Sequence, residues 1–206
     1  MLYPQLNKHR QMIELSGFWD FKFDYKVEGL DSNWKDGLNN TNPIAVPASW
    51  NDQFADNRDF LGPAWYQIKF NLPWNWNEKK IFIRFGSINY IADIWLNGQK
   101  VGHHEGGHLA FEYEITSLIK EINNLLIMRV DGRLSKEYVP PGNLKLTYPS
   151  TNYDFFPFCG IHRPVILYAV PHDAIKDLKI ITTIEDQDGL IETEVTLYGQ
   201  INTTGS

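Results

Sequence analysis

The sequence is short of cysteine, of positive charge and of helix. Cys159 is the single cysteine in 206 residues, so no intrachain disulfide can staple the fold, and this usage fits a reducing compartment. Lys and Arg number 19 against 25 Asp and Glu, a formal charge of −6 with His neutral. A chain with that balance has no electrostatic footprint for nucleic acid or anionic membrane, and neither is expected as a partner. No apolar run is long enough to span a bilayer, and the opening stretch Met1–Arg10 lacks a signal-peptide core. A soluble, cytoplasmic protein is expected. Internal repeats and low-complexity tracts are missing, as are a nucleophilic-serine motif, a glycine-rich phosphate loop and cysteines at metal-ligand spacing. No cofactor and no metal are expected.

Apolar residues are plentiful enough for a core, at 43% against 21% charged, which argues against disorder. They recur mostly with a period of two, the pattern of half-buried strands. In Phe18–Asp24, Trp19, Phe21 and Phe23 fall on one side and Asp20, Lys22 and Asp24 on the other. Residues 64–70, 80–85, 90–96, 111–115, 124–130 and 163–170 read the same way. Asn97-Gly98, followed by a run over 99–102, predicts a hairpin, because both residues of a type I′ turn take positive φ. Thr116–Asn123 reads as one or two helical turns opened by a hydroxyl cap. Residues 131–160, with Pro140, Pro141, Pro149 and Pro157, read as a long irregular loop, and such loops are usually functional. Roughly eight strands with almost no helix predict an all-β sandwich or jelly roll. After Pro171–Ala174, residues 175–183 and 190–198 form two further strands. Two strands cannot bury a core, so the expectation is that the chain ends inside a second domain.

Several constellations bear on chemistry. His104-Glu105-Gly106-Gly107-His108 matches H-E-x-x-H, but a zinc site of that type needs a helix. Two glycines inside it cost about 1 kcal/mol each, and strand-like flanks favour a bend whose imidazoles are exposed or hydrogen-bonded. Glycosidase carboxyls work in pairs, ~5–5.5 Å apart for retention. Asp52, Asp56 and Asp59 share one loop, yet they read as turn and capping residues. Asp154 stands among Tyr153, Phe155, Phe156 and Phe158, where a carboxylate must be paired, exposed or held for a ligand. His162 and Arg163 are its candidate partners, and acceptance of sugar hydroxyls is the alternative. Cys159 reads as a buried, inert thiol.

The runs Leu15–Phe21, Val46–Phe54, Ala64–Tyr66, Ile94–Gly98, Gly102–Phe111 and Gly160–Arg163 follow one another in a definite order. Together they resemble, over nearly the whole chain, the amino-terminal sugar-binding domain of glycoside hydrolase family 2. Asn51–Phe54 and Asp154–Arg163 are most similar to the bacterial β-glucuronidase branch. The resemblance implies a galactose-binding-domain-like jelly roll over residues 1–172, then the first strands of an immunoglobulin-like sandwich over 173–206. It also implies a (β/α)₈ barrel that lies outside this sequence. Family members hydrolyse β-glycosides, here β-D-glucuronides, with retention through two barrel glutamates. Neither glutamate is in this chain, which on its own is expected to be inactive and to hold no catalytic residue. This domain's part in the substrate pocket falls on Asp154, next to Tyr153 where the family often has His. The alternatives are a standalone carbohydrate-binding module, for which the Trp-rich loop Leu72–Asn77 speaks, and the front domain of a β-galactosidase- or β-mannosidase-like enzyme. A homo-oligomer is a further expectation, since family members often oligomerise and strands at 175–198 offer edges for pairing.

Overall fold

The computed structural model describes residues 3–133, 137, 142–143, 150–151, 156–186 and 188–199. Alternating sequence runs become strands, in the order β1 (Gln11–Glu14), β2 (Gly17–Phe23), β3 (Asn42–Val46), β4 (Ala48–Ser49), β5 (Pro63–Phe70), β6 (Lys80–Phe85), β7 (Ile88–Asn89), β8 (Ile91–Leu96) and β9 (Gln99–Glu105). The chain continues with β10 (Phe111–Glu114), β11 (Asn124–Asp131), β12 (Gly142–Asn143), β13 (Ser150–Thr151), β14 (Gly160–Ile161), β15 (Val165–Val170), β16 (Ile175–Glu185) and β17 (Asp188–Leu197). One short helix, α1 (Trp50–Gln53), follows β4.

Two antiparallel sheets face each other, one in the order β1-β15-β6-β10 and the other β3-β2-β5-β11-β8-β9. The all-β sandwich expected from the alternation is thus present. Trp19, Phe21, Phe23, Tyr66, Ile94 and Met128 from the larger sheet bury against Ile83, Phe85, Phe111 and Leu167 from the smaller one. Successive strand residues point to opposite faces, which puts Lys22 and Asp20 on the far side of β2 as the sequence predicts.

The far side is not wholly wet, however. Trp65, Trp95 and Ile127 form a second cluster with Leu38, and the indoles of Trp65 and Trp95 stack with centroids 5.5 Å apart. The segment between β2 and β3 folds over them. It is pinned by Asp24, whose carboxylate accepts from Trp65 Nε1 at 3.0 Å and from the Glu28 and Gly29 amides at 2.8 and 3.0 Å. At the free edge of the larger sheet the Gln53 carboxamide pairs with β3. Its Oε1 accepts from the Ala45 amide at 2.7 Å, and its Nε2 donates to the Ala45 carbonyl at 3.2 Å.

The Asn97-Gly98 turn takes positive φ at both residues, 53° and 81°, and joins β8 to β9 as expected. The helical turns expected over Thr116–Asn123 do not form as a helix. Thr116 Oγ1 instead accepts from the Ile81 amide at 2.9 Å, so the hydroxyl bonds across to β6 rather than capping its own segment. The region expected to be one irregular loop contains a short ladder, β12 against β13. Past residue 174, β16 and β17 pair along their length. Leu178, Ile180, Ile184, Ile191 and Val195 lie exposed on one face of that hairpin, while Lys179 and Glu194 form an ion pair at 3.9 Å on the other.

Candidate functional site

At one end of the sandwich three loops meet around β14, which pairs with β4 on one side and β7 on the other. Gly160, in β14, has φ of +127°. A Cβ there would lie 2.9 Å from the Ala48 carbonyl oxygen and 3.0 Å from the Tyr66 hydroxyl, so only glycine lets the three strands close up. Asn51 is the joint between the loops. Its Oδ1 accepts from the Cys159 amide at 2.7 Å, and its Nδ2 donates to the Arg58 and Phe60 carbonyls at 2.7 and 3.0 Å. The helix α1 starts on Ser49, whose hydroxyl accepts from the Asn51 amide. Capping thus falls to Ser49 rather than to the nearby aspartates. Asp52 lies in α1, Asp56 in the single 3₁₀ turn Ala55–Asn57 and Asp59 in the turn after it.

These loops enclose a cleft of about 470 Å³. Ser49 and Asp52 come from the α1 side and Ser87 and Asn89 from the β6–β8 connection. The other wall is Phe156, Phe158, His162 and Arg163, with His108 at the rim. The walls are tied together. The Asn89 carboxamide donates to the Phe158 carbonyl, Ser87 Oγ donates to the Gly107 carbonyl at 2.5 Å, and the His162 amide donates to the Ser87 carbonyl at 3.0 Å. Gly107 packs so closely that a Cβ would sit 2.5 Å from Asn89 Oδ1.

Burial, and then the neighbouring His108, lower the pKa of His162; the Phe158 and Cys159 carbonyls and Asp52 oppose the shift. Its Nε2 is buried without a hydrogen-bond partner. The cleft therefore offers a neutral imidazole, a carboxylate acceptor, a guanidinium donor and two phenyl faces, a set suited to a hydroxylated ligand. Among the described lining residues Asp52 is the single carboxylate.

Of the residues singled out in sequence, Tyr153 and Asp154 lie outside the described residues. His162 and Arg163 both line the cleft, and Arg163 Nη1 donates to the His108 carbonyl at 3.4 Å. The H-E-x-x-H stretch is the end of β9 followed by a bend, with Gly106 at φ +125°. His104 stacks on Phe111 at 3.7 Å, while His108 turns to the cleft. Cys159 is buried, and desolvation pushes its thiol well above the ordinary value, as an inert cysteine requires. Sequence reasoning missed Ser87 and Asn89. Each is an ordinary polar residue between strands, and only the pairing of β7 with β14 brings them to the site.

The family model for "Glycosyl hydrolases family 2, sugar binding domain" matches residues 12–171. The chain belongs to this family. Similar proteins within it include the β-glucuronidase of Sus scrofa, 33% identical over 97% of this chain and 34% of that one. Among solved structures, an uncultured Clostridium sp. β-glucuronidase superposes with a TM-score of 0.88 at 36% identity, covering 97% of this chain and 36% of that one. The Ruminococcus gnavus β-glucuronidase in complex with D-glucuronic acid gives the same TM-score at 33% identity, over 97% and 36% of the two chains. The chain spans about a third of the length of these family members.

Proposed function

We propose that this chain is the non-catalytic sugar-binding part of a β-glucuronidase-like retaining glycosidase and helps shape the pocket that holds a β-D-glucuronide. The observation that carries this reading is the family match over residues 12–171, joined to relatives that are β-glucuronidases. In this reading Asp154 accepts a hydrogen bond from a sugar hydroxyl, with Tyr153 beside it. Support comes from the chain itself, which two residues later supplies Phe156 to the cleft wall.

The purified chain is expected to show no turnover of a chromogenic glucuronide; turnover that survives purification would refute the non-catalytic assignment. In the complete glycosidase, Asp154→Ala is expected to lower kcat/KM about tenfold or more, equivalent to about 1.4 kcal/mol of transition-state binding. A change no larger than about twofold would remove Asp154 from the pocket. A carbohydrate-binding module is the second reading, favoured by Trp74, whose ring is 89% exposed.

A further inference from the structure

The outer face of the four-stranded sheet carries an unusual set of side chains. By register, Phe82 and Arg84 of β6, Tyr168 of β15 and Glu112 of β10 point away from the core. The rings of Phe82 and Tyr168 stack at 5.0 Å, and Tyr198, just past β17, closes on Phe82 at 5.0 Å. From the other direction Tyr3 lies over the Arg84 guanidinium at 5.2 Å. Between the amino-terminal segment and the base of the β16–β17 hairpin a groove of about 610 Å³ remains, lined by Tyr3, Arg10, Glu112, Tyr168, Asp177 and Tyr198 among others. That volume lies within the range of small-ligand sites, ~300–1,000 Å³.

Polar groups converge on this groove. Burial raises the pKa of Tyr168, and the neighbouring Glu112 and Tyr198 reinforce the shift. Arg10 is close enough to Tyr198 to act on its hydroxyl in the opposite sense. Arg10 Nε, in the groove lining, and Arg84 Nε, whose guanidinium lies against Tyr3 outside that lining, are buried with no hydrogen-bond partner. Among the described residues, arginine ion pairs belong to Arg129 and Arg133, not to these two. A buried, unpaired guanidinium N–H is unfavourable, and its natural complement is a carboxylate, taken through two parallel hydrogen bonds. Phenol rings offer flat faces to the C–H groups of a pyranose, and Glu112 and Asp177 can accept from its hydroxyls.

We propose that this groove binds an acidic saccharide, a uronate whose carboxylate engages Arg10 and whose ring lies against Tyr198 and Tyr3. The proposal stands on the outer sheet face alone and does not depend on the cleft at the end of the sandwich.

Isothermal titration of the purified chain with sodium D-glucuronate, and with D-glucose as the same pyranose lacking the carboxylate, tests it. Glucuronate is expected to bind saturably with a Kd below about 10 mM, and glucose at least about tenfold more weakly. Arg10→Gln is expected to weaken glucuronate binding at least about tenfold. Tyr198→Ala does the same and serves where the arginine variant loses its fold. Absence of saturation, equal binding of glucose, or parental affinity in both the Arg10 and Tyr198 variants overturns the proposal. Loss of binding in Asp154→Asn but not in Arg10→Gln also overturns it, and would place the uronate with the cleft reading, which would then stand.

Discussion

Asn51 is the most exacting test of how the cleft is held. The residue is 1% exposed, and its carboxamide bonds to backbone in two other segments, the Cys159 amide on one side and the Arg58 and Phe60 carbonyls on the other. Asn51→Ala strands the Cys159 N–H in a buried strand end. A buried group left unsatisfied costs about 1–3 kcal/mol. The Phe60 carbonyl keeps a donor, because Trp50 Nε1 also reaches it at 2.8 Å, so the carbonyl side adds less than a second full penalty. The expected loss is about 2–4 kcal/mol, or roughly 4–16 °C in Tm at 2–4 °C per kcal/mol for a domain of this size. Asn51→Asp separates the two sides of the joint. It keeps an acceptor for Cys159 but turns a carboxylate oxygen toward the two carbonyls, so it is expected to destabilise at least as much at pH 7 and to recover partly on acidification. Urea melts of the three chains, fitted with a common slope, measure the differences. An Asn51→Ala chain within about 0.5 kcal/mol of the parent, or an Asp variant as stable as Asn at pH 7, would refute the joint.

Trp74 and Trp76 share one 3₁₀ turn and should answer oppositely. Trp76→Ala, at a ring 1% exposed, is expected to cost about 3–5 kcal/mol, and Trp74→Ala to stay within about 0.5 kcal/mol, both read by denaturant melts. Thermal stability should fall as pH drops below about 6.5. His104 and His162 have folded-state pKa values lowered chiefly by burial, so the unfolded chain takes up protons first and gains on the folded one until pH passes below the folded values. His103 works the other way, its pKa raised chiefly by the hydrogen bond to Asp93. Its contribution is complete below the unfolded value and lost as pH rises through the folded one, but its half-exposed ring makes it the smaller effect. His162→Gln should flatten the acid limb of Tm against pH, and an unchanged limb would contradict the assignment. The Cys159 thiol should resist an alkylating reagent until the protein unfolds, so labelling at the rate of a free thiol under native conditions would show that the site opens.

The sheet scaffold was legible because its signals are local. The Trp19, Phe21, Phe23 alternation specifies one buried face within a single strand, and Asn97-Gly98 specifies a turn from two residues. Where the reading departed from the structure, a distant partner decided the matter. Thr116 looks like a helix cap until the Ile81 amide takes its hydroxyl. Trp65 and Trp95 read as the solvent side of strands until the loop carrying Asp24 and Leu38 covers them. The Trp-rich loop divides, Trp76 buried in the core and Trp74 exposed, because the two rings leave one short turn in different directions. The cleft draws on residues 49–52, 87–89, 107–108 and 156–163, a separation at which periodicity carries no information. His108, part of the H-E-x-x-H stretch, and Asn89, unremarkable in its own stretch, become neighbours only through the pairing of β7, β14 and β4.

The Gln53 carboxamide on β3 has a consequence for how copies of this protein can meet. An open sheet edge is a row of vacant donors and acceptors onto which another chain can add a strand. At Ala45 both groups are already occupied by a side chain from the same molecule. Strand addition along this border would first have to evict the amide, so growth in that direction is interrupted at the point where it would begin. On the opposite border, β9, the His103 carbonyl is likewise engaged, accepting from the Tyr113 hydroxyl at 2.6 Å. At Ala45 and at His103, therefore, the two borders of the larger sheet carry backbone groups already engaged by side chains of the same molecule.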